Sequence, residues 1–135
     1  GYARRSQVIH RRELSQDGEN TWLVVDKLLA SGKPGLTDMT LHWLLPDHPW
    51  QLNDQCLTLE TDNGPVQLEI LADRMDLKPE IQLIRGGQTL VGPPADSPIF
   101  GWYSPTYSVK IPALALRMTW RVVAPLEITT RIQLG

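Results

Sequence analysis

The chain has 135 residues, a formal net charge of −2, 41% hydrophobic residues and 21% charged residues. These values predict a folded chain with a real core, and they exclude disorder of the whole chain and capture of nucleic acid by charge alone. No apolar run approaches the ~20 residues that a membrane-spanning helix needs, so we predict no membrane span.

Five β-favouring segments lie in the first half of the chain, each bounded by turn-forming residues. They are residues 7–14, 21–26, 39–45, 55–61 and 66–71. A helix that continues through Leu29 is the alternative for the second segment, but its adjacent valines and the following Gly32 and Pro34 favour a strand and a turn. Asn63-Gly64 predicts a tight hairpin between the last two segments, because both residue types tolerate positive φ.

The middle of the chain combines a second predicted hairpin with a proline-rich segment. Residues 81–85 and 88–91 flank Gly86-Gly87, a typical hairpin loop. Residues 93–112 contain five prolines, and their aromatic residues are Phe100, Trp102, Tyr103 and Tyr107. Since proline cannot donate a hydrogen bond to a sheet, we predict a long irregular connection or a broken edge strand. Its aromatic rings either stack on sugar rings or cover the open end of a sandwich.

Two alternating segments, residues 114–122 and 126–134, follow the proline-rich part. A period of two puts one set of side chains in the core and the other in water, as in half-buried antiparallel strands. Ala124 and Pro125 interrupt the pattern, and we predict a turn there that places both strands side by side in one sheet. Trp120 and Ile128 lie on the apolar phase and are predicted to be buried.

The fold prediction follows from nine such segments and the absence of a firm helical pattern. Many short strands with turn signals between them predict an all-β chain, specifically an antiparallel β-sandwich. No internal repeat or convincing linker divides the sequence, so we predict that residues 1–135 form a single domain.

Residues suited to catalysis or metal binding are sparse. Cys56 is the only cysteine, which rules out a disulfide within the chain and a cysteine-based zinc cluster. The histidines His10, His42 and His48 have no second ligand at a metal-binding spacing, and no nucleophile elbow or phosphate loop occurs. We therefore predict no catalytic residue, metal or cofactor, and interpret His42 as a sheet residue.

A basic cluster near the start of the sequence has two interpretations. It comprises Arg4, Arg5, His10, Arg11 and Arg12. These side chains could bind a polyanion, because guanidinium matches the geometry of carboxylate and sulfate. They could equally be the charges by which an edge strand avoids aggregation.

Motifs along the chain point to a family. They are Gly1-Tyr2, His10-Arg11-Arg12-Glu13-Leu14, Trp22-Leu23-Val24-Val25-Asp26, Leu41-His42-Trp43-Leu44-Leu45-Pro46, Gly101-Trp102-Tyr103-Ser104-Pro105-Thr106-Tyr107, and Pro112-Ala113 with a threonine-rich last strand. In this order they resemble the C-terminal β-domain of heparinase II/III-like proteins. The resemblance spans nearly the whole chain.

The resemblance implies a polysaccharide lyase that cleaves uronic-acid-containing chains by β-elimination. In the family, an (α/α) toroid supplies a tyrosine, and an earlier His-x-His-type motif supplies the functional histidine and, where present, zinc ligands. Neither feature occurs in this sequence, so no catalytic role is carried over to His10. The expectation is a C-terminal part of a longer protein, inactive by itself. Its implied location is periplasmic or secreted.

The partners implied by the resemblance are an acidic polysaccharide, bound through the parent protein, and the toroid and β-region upstream in the same chain. Arg11, Arg12, Trp102 and Tyr103 are the predicted substrate-binding residues. The alternative function is a carbohydrate-binding or purely structural β-sandwich module, which needs no toroid.

Overall fold

The structure is a computed structural model that describes residues 8–30, 32, 35–74, 76–95 and 97–135. All regular elements in this part of the chain are strands, so no helix within it is long and apolar enough to cross a membrane. The strands are β1 (Val8–Gln16), β2 (Thr21–Ala30), β3 (Leu36–Leu45), β4 (Trp50–Asn53), β5 (Cys56–Thr61), β6 (Gly64–Ala72), β7 (Glu80–Arg85), β8 (Gln88–Val91), β9 (Trp102–Tyr103), β10 (Ile111–Pro112), β11 (Leu114–Val123) and β12 (Leu126–Leu134).

The chain divides into two compact units. The first comprises Gly1–Thr37, His48–Leu77 and Val122–Gly135 and contains a six-stranded sheet of order β1-β2-β12-β6-β5-β4. The second comprises Asp38–Asp47 and Lys78–Arg121. It contains most of a four-stranded sheet of order β3-β11-β7-β8 and the two-stranded ribbon β10-β9. Antiparallel pairing joins the strands in both units.

The predicted fold class, an all-β antiparallel β-sandwich, is confirmed. Both predicted hairpins also form: β7-β8 turns at Gly86-Gly87, and β5-β6 turns at Asp62-Asn63, one residue earlier than predicted, because Thr61 pairs with Gly64. Gly86 and Gly87 have φ values of 54° and 80°, which a two-residue hairpin loop requires. The second segment is a strand rather than a helix, and it continues through Leu29 to Ala30.

The prediction that the last two long strands pair with each other is wrong. β11 pairs with β7 in the four-stranded sheet, whereas β12 pairs with β2 and β6 in the six-stranded sheet. A two-residue hairpin loop needs positive φ at one or both of its residues. Pro125 has its φ fixed near −65° by its ring, and Ala124 also disfavours positive φ, so Ala124-Pro125 cannot close such a hairpin.

The apolar phase of the last two long strands is buried as predicted. Trp120 retains 1% of its surface and Ile128 retains 2%. Leu116 and Met118 lie on the same side of β11 as Trp120 and are equally buried. The indole N–H of Trp120 has no hydrogen-bond partner within the described residues.

The sequence pattern missed three short strands. β4 follows the irregular residues 46–49 and pairs with β5, while β9 and β10 form a two-residue ribbon within the proline-rich segment. The rest of residues 93–112 is irregular, as predicted from the prolines, leaving aside residue 96, which lies outside the described residues. The ribbon positions Trp102 and Tyr103, two of the predicted binding residues.

Candidate ligand-binding cleft

The predicted arginine pair lies on β1, the edge strand of the six-stranded sheet within the described residues. Arg11 and Arg12 point to opposite faces of the sheet because they are consecutive in a strand. Arg12 lies opposite Asp26 of β2, and its Nε and a terminal nitrogen donate to the Asp26 carboxylate at 2.7 and 3.2 Å. Arg4 and Arg5 lie outside the described residues.

Asp26 is a buried carboxylate that two side chains of β1 satisfy. Its residue is 1% exposed, and His10 Nε2 lies 2.7 Å from the same oxygen that accepts from Arg12. A buried charge is costly unless paired and hydrogen-bonded, so this arrangement stabilises the edge of the sheet. His10 and Arg12 are thus engaged by a carboxylate of the adjacent strand, whereas protection of the edge against aggregation stays a prediction.

The predicted aromatic pair lies on β9, where Trp102 and Tyr103 again point to opposite faces. The indole N–H of Trp102 donates to the carbonyl of Pro98 at 2.9 Å, and Lys110 Nζ lies 4.9 Å from the ring centroid. Tyr103 is half exposed and lines a groove of about 560 Å³. The other lining residues, mostly apolar, are Leu44, Leu45, Pro46, Asp47, Ile111, Pro112 and Ala113.

The structure thus places the four predicted binding residues on two separate units. The two arginines belong to the first unit and the two aromatic residues to the second. Within each pair, the alternation of the strand directs the side chains to opposite faces. Substrate binding by Arg11, Arg12, Trp102 and Tyr103 stays a prediction.

A polar stripe on the four-stranded sheet is the candidate site that the sequence did not identify. On β11, Arg117, Thr119 and Arg121 alternate with the buried residues Met118 and Trp120. The antiparallel register places Arg117 opposite Gln82 and Thr119 opposite Glu80 on β7. Directly opposed residues share a face, so these side chains gather on one side of the sheet.

Arg117 is held by two neighbours of different chemistry. One terminal nitrogen donates to Gln82 Oε1 at 2.9 Å, and the guanidinium carbon lies 4.1 Å from the centroid of the Phe100 ring. Gln82 is 9% exposed, and its amide nitrogen donates to the carbonyl of Pro93 at 2.9 Å, which fixes its orientation. In the described part of the chain, Arg117 forms no salt bridge with a carboxylate.

Phe100 is positioned by the loop of the second hairpin. The N–H of Gly87 donates to the carbonyl of Phe100 at 2.9 Å, and the N–H of Gly86 donates to that of Gly101 at 2.8 Å. Gly101 has a φ of 82°, and a Cβ there would lie 2.8 Å from both the Gly86 nitrogen and the Ile84 carbonyl oxygen. Only glycine permits this approach, so the backbone itself holds the Phe100 ring under Arg117.

These side chains line a cleft of about 460 Å³, which we call the Arg117 cleft. Its lining comprises Glu80, Gln82, Pro93, Pro94, Ser97, Phe100, Arg117 and Thr119. The cleft therefore offers a cation with unused donors, a carboxylate, hydroxyl groups and an aromatic ring. Such a set is suited to an anionic ligand that also carries hydroxyl groups.

His42 contacts the same cluster from β3. Its ring meets that of Phe100 edge to face, with centroids 5.8 Å apart. Partial burial, and secondarily the positive charge of Arg117, lower the pKa of His42 below its ordinary value. The imidazole is therefore neutral at neutral pH, and the cleft has no second cation from this residue.

No group of three or more His, Cys, Asp or Glu side chains suited to a metal ion occurs among the described residues.

Part of this site was visible in the sequence. The alternation of residues 114–122 places Arg117 on the polar phase, although many surface arginines share that property. Phe100 was noted only as one of several loop aromatics. No sequence signal indicates that its ring lies under Arg117, because the contact depends on a loop docking against the end of β7.

Comparison with known proteins adds no assignment. A scan against protein-family models finds no match for the chain, and a search of curated proteins finds none similar to it. The resemblance to heparinase II/III-like proteins therefore stays a prediction that rests on its motifs.

Proposed function

We propose that this chain is the β-sandwich part of a heparinase II/III-like polysaccharide lyase, non-catalytic by itself, and that it binds the acidic glycan through the Arg117 cleft. The order of the sequence motifs and the all-β antiparallel fold support the family. The observation that carries glycan binding is the position of Arg117, which is held by Phe100 and Gln82 and which no carboxylate of the described residues neutralises.

Arg117 is suited to this role because its geometry is fixed before a ligand arrives. Its hydrogen bond to Gln82 and its stacking on Phe100 restrict the guanidinium, so less conformational entropy is lost on binding. The remaining N–H groups can form the paired hydrogen bonds that planar carboxylates accept. Ser97 and Glu80 are placed to hydrogen-bond sugar hydroxyls.

Binding is tested by titrating the chain with uronate oligosaccharides and following amide chemical shifts. We expect shifts around Arg117, Gln82 and Phe100, and we expect Arg117→Ala to weaken binding by about tenfold or more, as for loss of a charged hydrogen-bonding partner. The matched control is Arg121→Ala, on the same face of β11 but paired with Asp38 and outside the cleft. Equal losses in the two variants would show that only general positive charge matters.

The same titration compares the earlier predicted residues. Arg11→Ala and Tyr103→Ala test whether these two predicted residues also bind the glycan. Each lies on the opposite face of its strand from its neighbour, Arg12 or Trp102. If either variant weakens binding as much as Arg117→Ala does, the glycan site extends beyond the cleft. We expect the electrostatic part of the affinity to fall as salt rises.

The non-catalytic part of the proposal is tested separately. β-Elimination produces an unsaturated uronate that absorbs in the near ultraviolet, so turnover on heparan sulfate, alginate and other uronate polymers is easily followed. We expect none from this chain alone, because catalysis requires an acid and a base aligned across the scissile bond. Unsaturated product that disappears on substitution of His10 or His42 would overturn the proposal.

A self-sufficient carbohydrate-binding module is the second candidate function. It is favoured by one observation: every residue that lines the Arg117 cleft belongs to a single compact unit. The full open reading frame distinguishes the binding module from the lyase part. A lyase requires a toroid and the functional histidine to be encoded upstream of this chain.

A further inference from the structure

We propose that the Arg117 cleft selects unsulfated uronate residues over sulfated ones. This inference rests on the proposed function and specifies its ligand class. Three features of the cleft support it. They are the charges that line it, the lack of a further positive charge from Arg121 or His42, and the arrangement of its hydrogen-bonding groups.

Among the described residues, the charges that line the cleft are one cation and one anion. Arg117 supplies the positive charge and Glu80 the negative charge. The two residues lie diagonally across the β11-β7 pair, since Arg117 is opposite Gln82 and Glu80 is opposite Thr119. A uronate residue carries one carboxylate, which Arg117 can neutralise. A sulfate on the same sugar would bring a further negative charge toward Glu80 without a cation to balance it.

Within the described part of the chain, no neighbouring group is placed to neutralise that further charge. Arg121, the next cation on this face of β11, lies 3.8 Å from Asp38 and does not line the cleft. His42 is neutral near pH 7, because partial burial and the charge of Arg117 lower its pKa. A sulfated ligand would therefore lose hydration of its second anion without a compensating ion pair.

The hydrogen-bonding groups of the cleft favour hydroxyl groups beside the carboxylate. Both ends of the Gln82 amide are already engaged, by Arg117 and by the carbonyl of Pro93. The Thr119 hydroxyl is hydrogen-bonded to that of Thr40 at 2.9 Å. The Glu80 carboxylate is the exposed acceptor on this face, and a sugar hydroxyl can donate to it, whereas a sulfate ester cannot.

The experiment compares an unsulfated uronate tetrasaccharide with a sulfated one of equal length, by calorimetry and by chemical shifts at the cleft. We expect the wild type to bind the unsulfated ligand about fivefold to tenfold more tightly, the range expected for one unbalanced charge near a protein surface. Glu80→Gln should narrow this preference by improving binding of the sulfated ligand. Arg117→Lys keeps the charge but lacks the planar fork, so it should weaken binding of the uronate.

The outcomes separate this inference from the proposed function. Equal or tighter binding of the sulfated ligand at the cleft, or an unchanged preference in Glu80→Gln, overturns the selectivity and leaves glycan binding standing. Binding that Arg117→Ala does not weaken places the ligand elsewhere and overturns the cleft assignment. Absence of binding to both ligands contradicts the proposed function itself.

Discussion

Arg12 and Arg117 both lie on antiparallel strands, Arg12 on an edge strand and Arg117 on an inner one, and they differ in the groups that hold their side chains. Arg12 donates to the carboxylate of Asp26, which is 1% exposed and also contacts His10. Arg117 is held by the Phe100 ring and the Gln82 amide, neither of which carries a charge. The first arrangement satisfies a buried anion of the protein, whereas the second holds a cation that no carboxylate of the described residues neutralises.

This difference separates two uses of arginine that sequence alone does not distinguish. Removing the cation beside a buried carboxylate is costly, so we expect Arg12 to contribute to stability. A cation stacked on an aromatic ring and fixed by an amide is pre-organised without being neutralised. Substitutions of each arginine and of its neighbouring residues test this difference between Arg12 and Arg117.

The largest effect on stability is expected from the buried face of β11, the strand that carries Arg117. Trp120→Ala should lower the free energy of unfolding by roughly 3–5 kcal/mol, as for large aromatic truncations in packed cores. Arg121→Ala, on the opposite face, should cost on the order of 0.5 kcal/mol, because its ion pair with Asp38 is exposed. Urea denaturation measures both. Equal losses would show that both faces of β11 are covered.

The next effect concerns the paired arginine. Arg12→Ala should destabilise the chain by about 2–3 kcal/mol, since it leaves the buried Asp26 carboxylate with His10 alone. Its neighbour Arg11, on the other face of β1, is the matched control, and Arg11→Ala should cost roughly 0.5 kcal/mol.

Arg117→Ala should lower stability by about 1 kcal/mol, less than Arg12→Ala, because it removes a donor from the Gln82 amide oxygen but leaves no buried charge behind. Denaturant unfolding of the Arg12 and Arg117 variants therefore tests the comparison directly. If the two alanine variants lose the same stability, the distinction between a structural and a ligand-binding arginine fails.

The smallest expected effect is a change in the pKa of His42 when the charge of Arg117 is removed. Burial and that charge lower the pKa of His42, so removing the charge in Arg117→Ala should move the pKa partway back toward its ordinary value. An NMR titration of the His42 ring protons measures the change. An unchanged pKa in this variant would mean that the charge of Arg117 is screened or neutralised.

The same lowered pKa predicts a pH dependence of stability with a definite sign. Between the unfolded pKa, about 6.5, and the lower folded value, the unfolded chain binds a proton that the folded chain does not. Neutral His42 therefore makes its full contribution to the free energy of unfolding above the unfolded pKa. That contribution declines as the pH falls below the unfolded pKa. On acidification from about pH 7.5 to pH 5, the wild type should lose more stability than His42→Gln. A larger loss in the variant would contradict this sign.

Much of the fold was predictable from local sequence. Alternation identified the long strands, and it placed Trp120 and Ile128 in the core. The hairpin at Gly86-Gly87 followed from the positive φ values of its loop, whereas at Asn63-Gly64 only Gly64 has a positive φ. The short strand β4 escaped detection, because four residues are too few to show a period.

The sequence by itself determined which segments are strands and which of their faces are buried, because both properties depend on residues one or two positions apart. The tertiary structure decided which strands pair. β11 and β12 lie in different sheets although only Ala124-Pro125 separates them. It also decided which arginine is neutralised, by placing Asp26 beside Arg12 and Phe100 beside Arg117. Those contacts join residues distant along the chain, so their partners are set by pairing register and loop docking rather than by any local pattern.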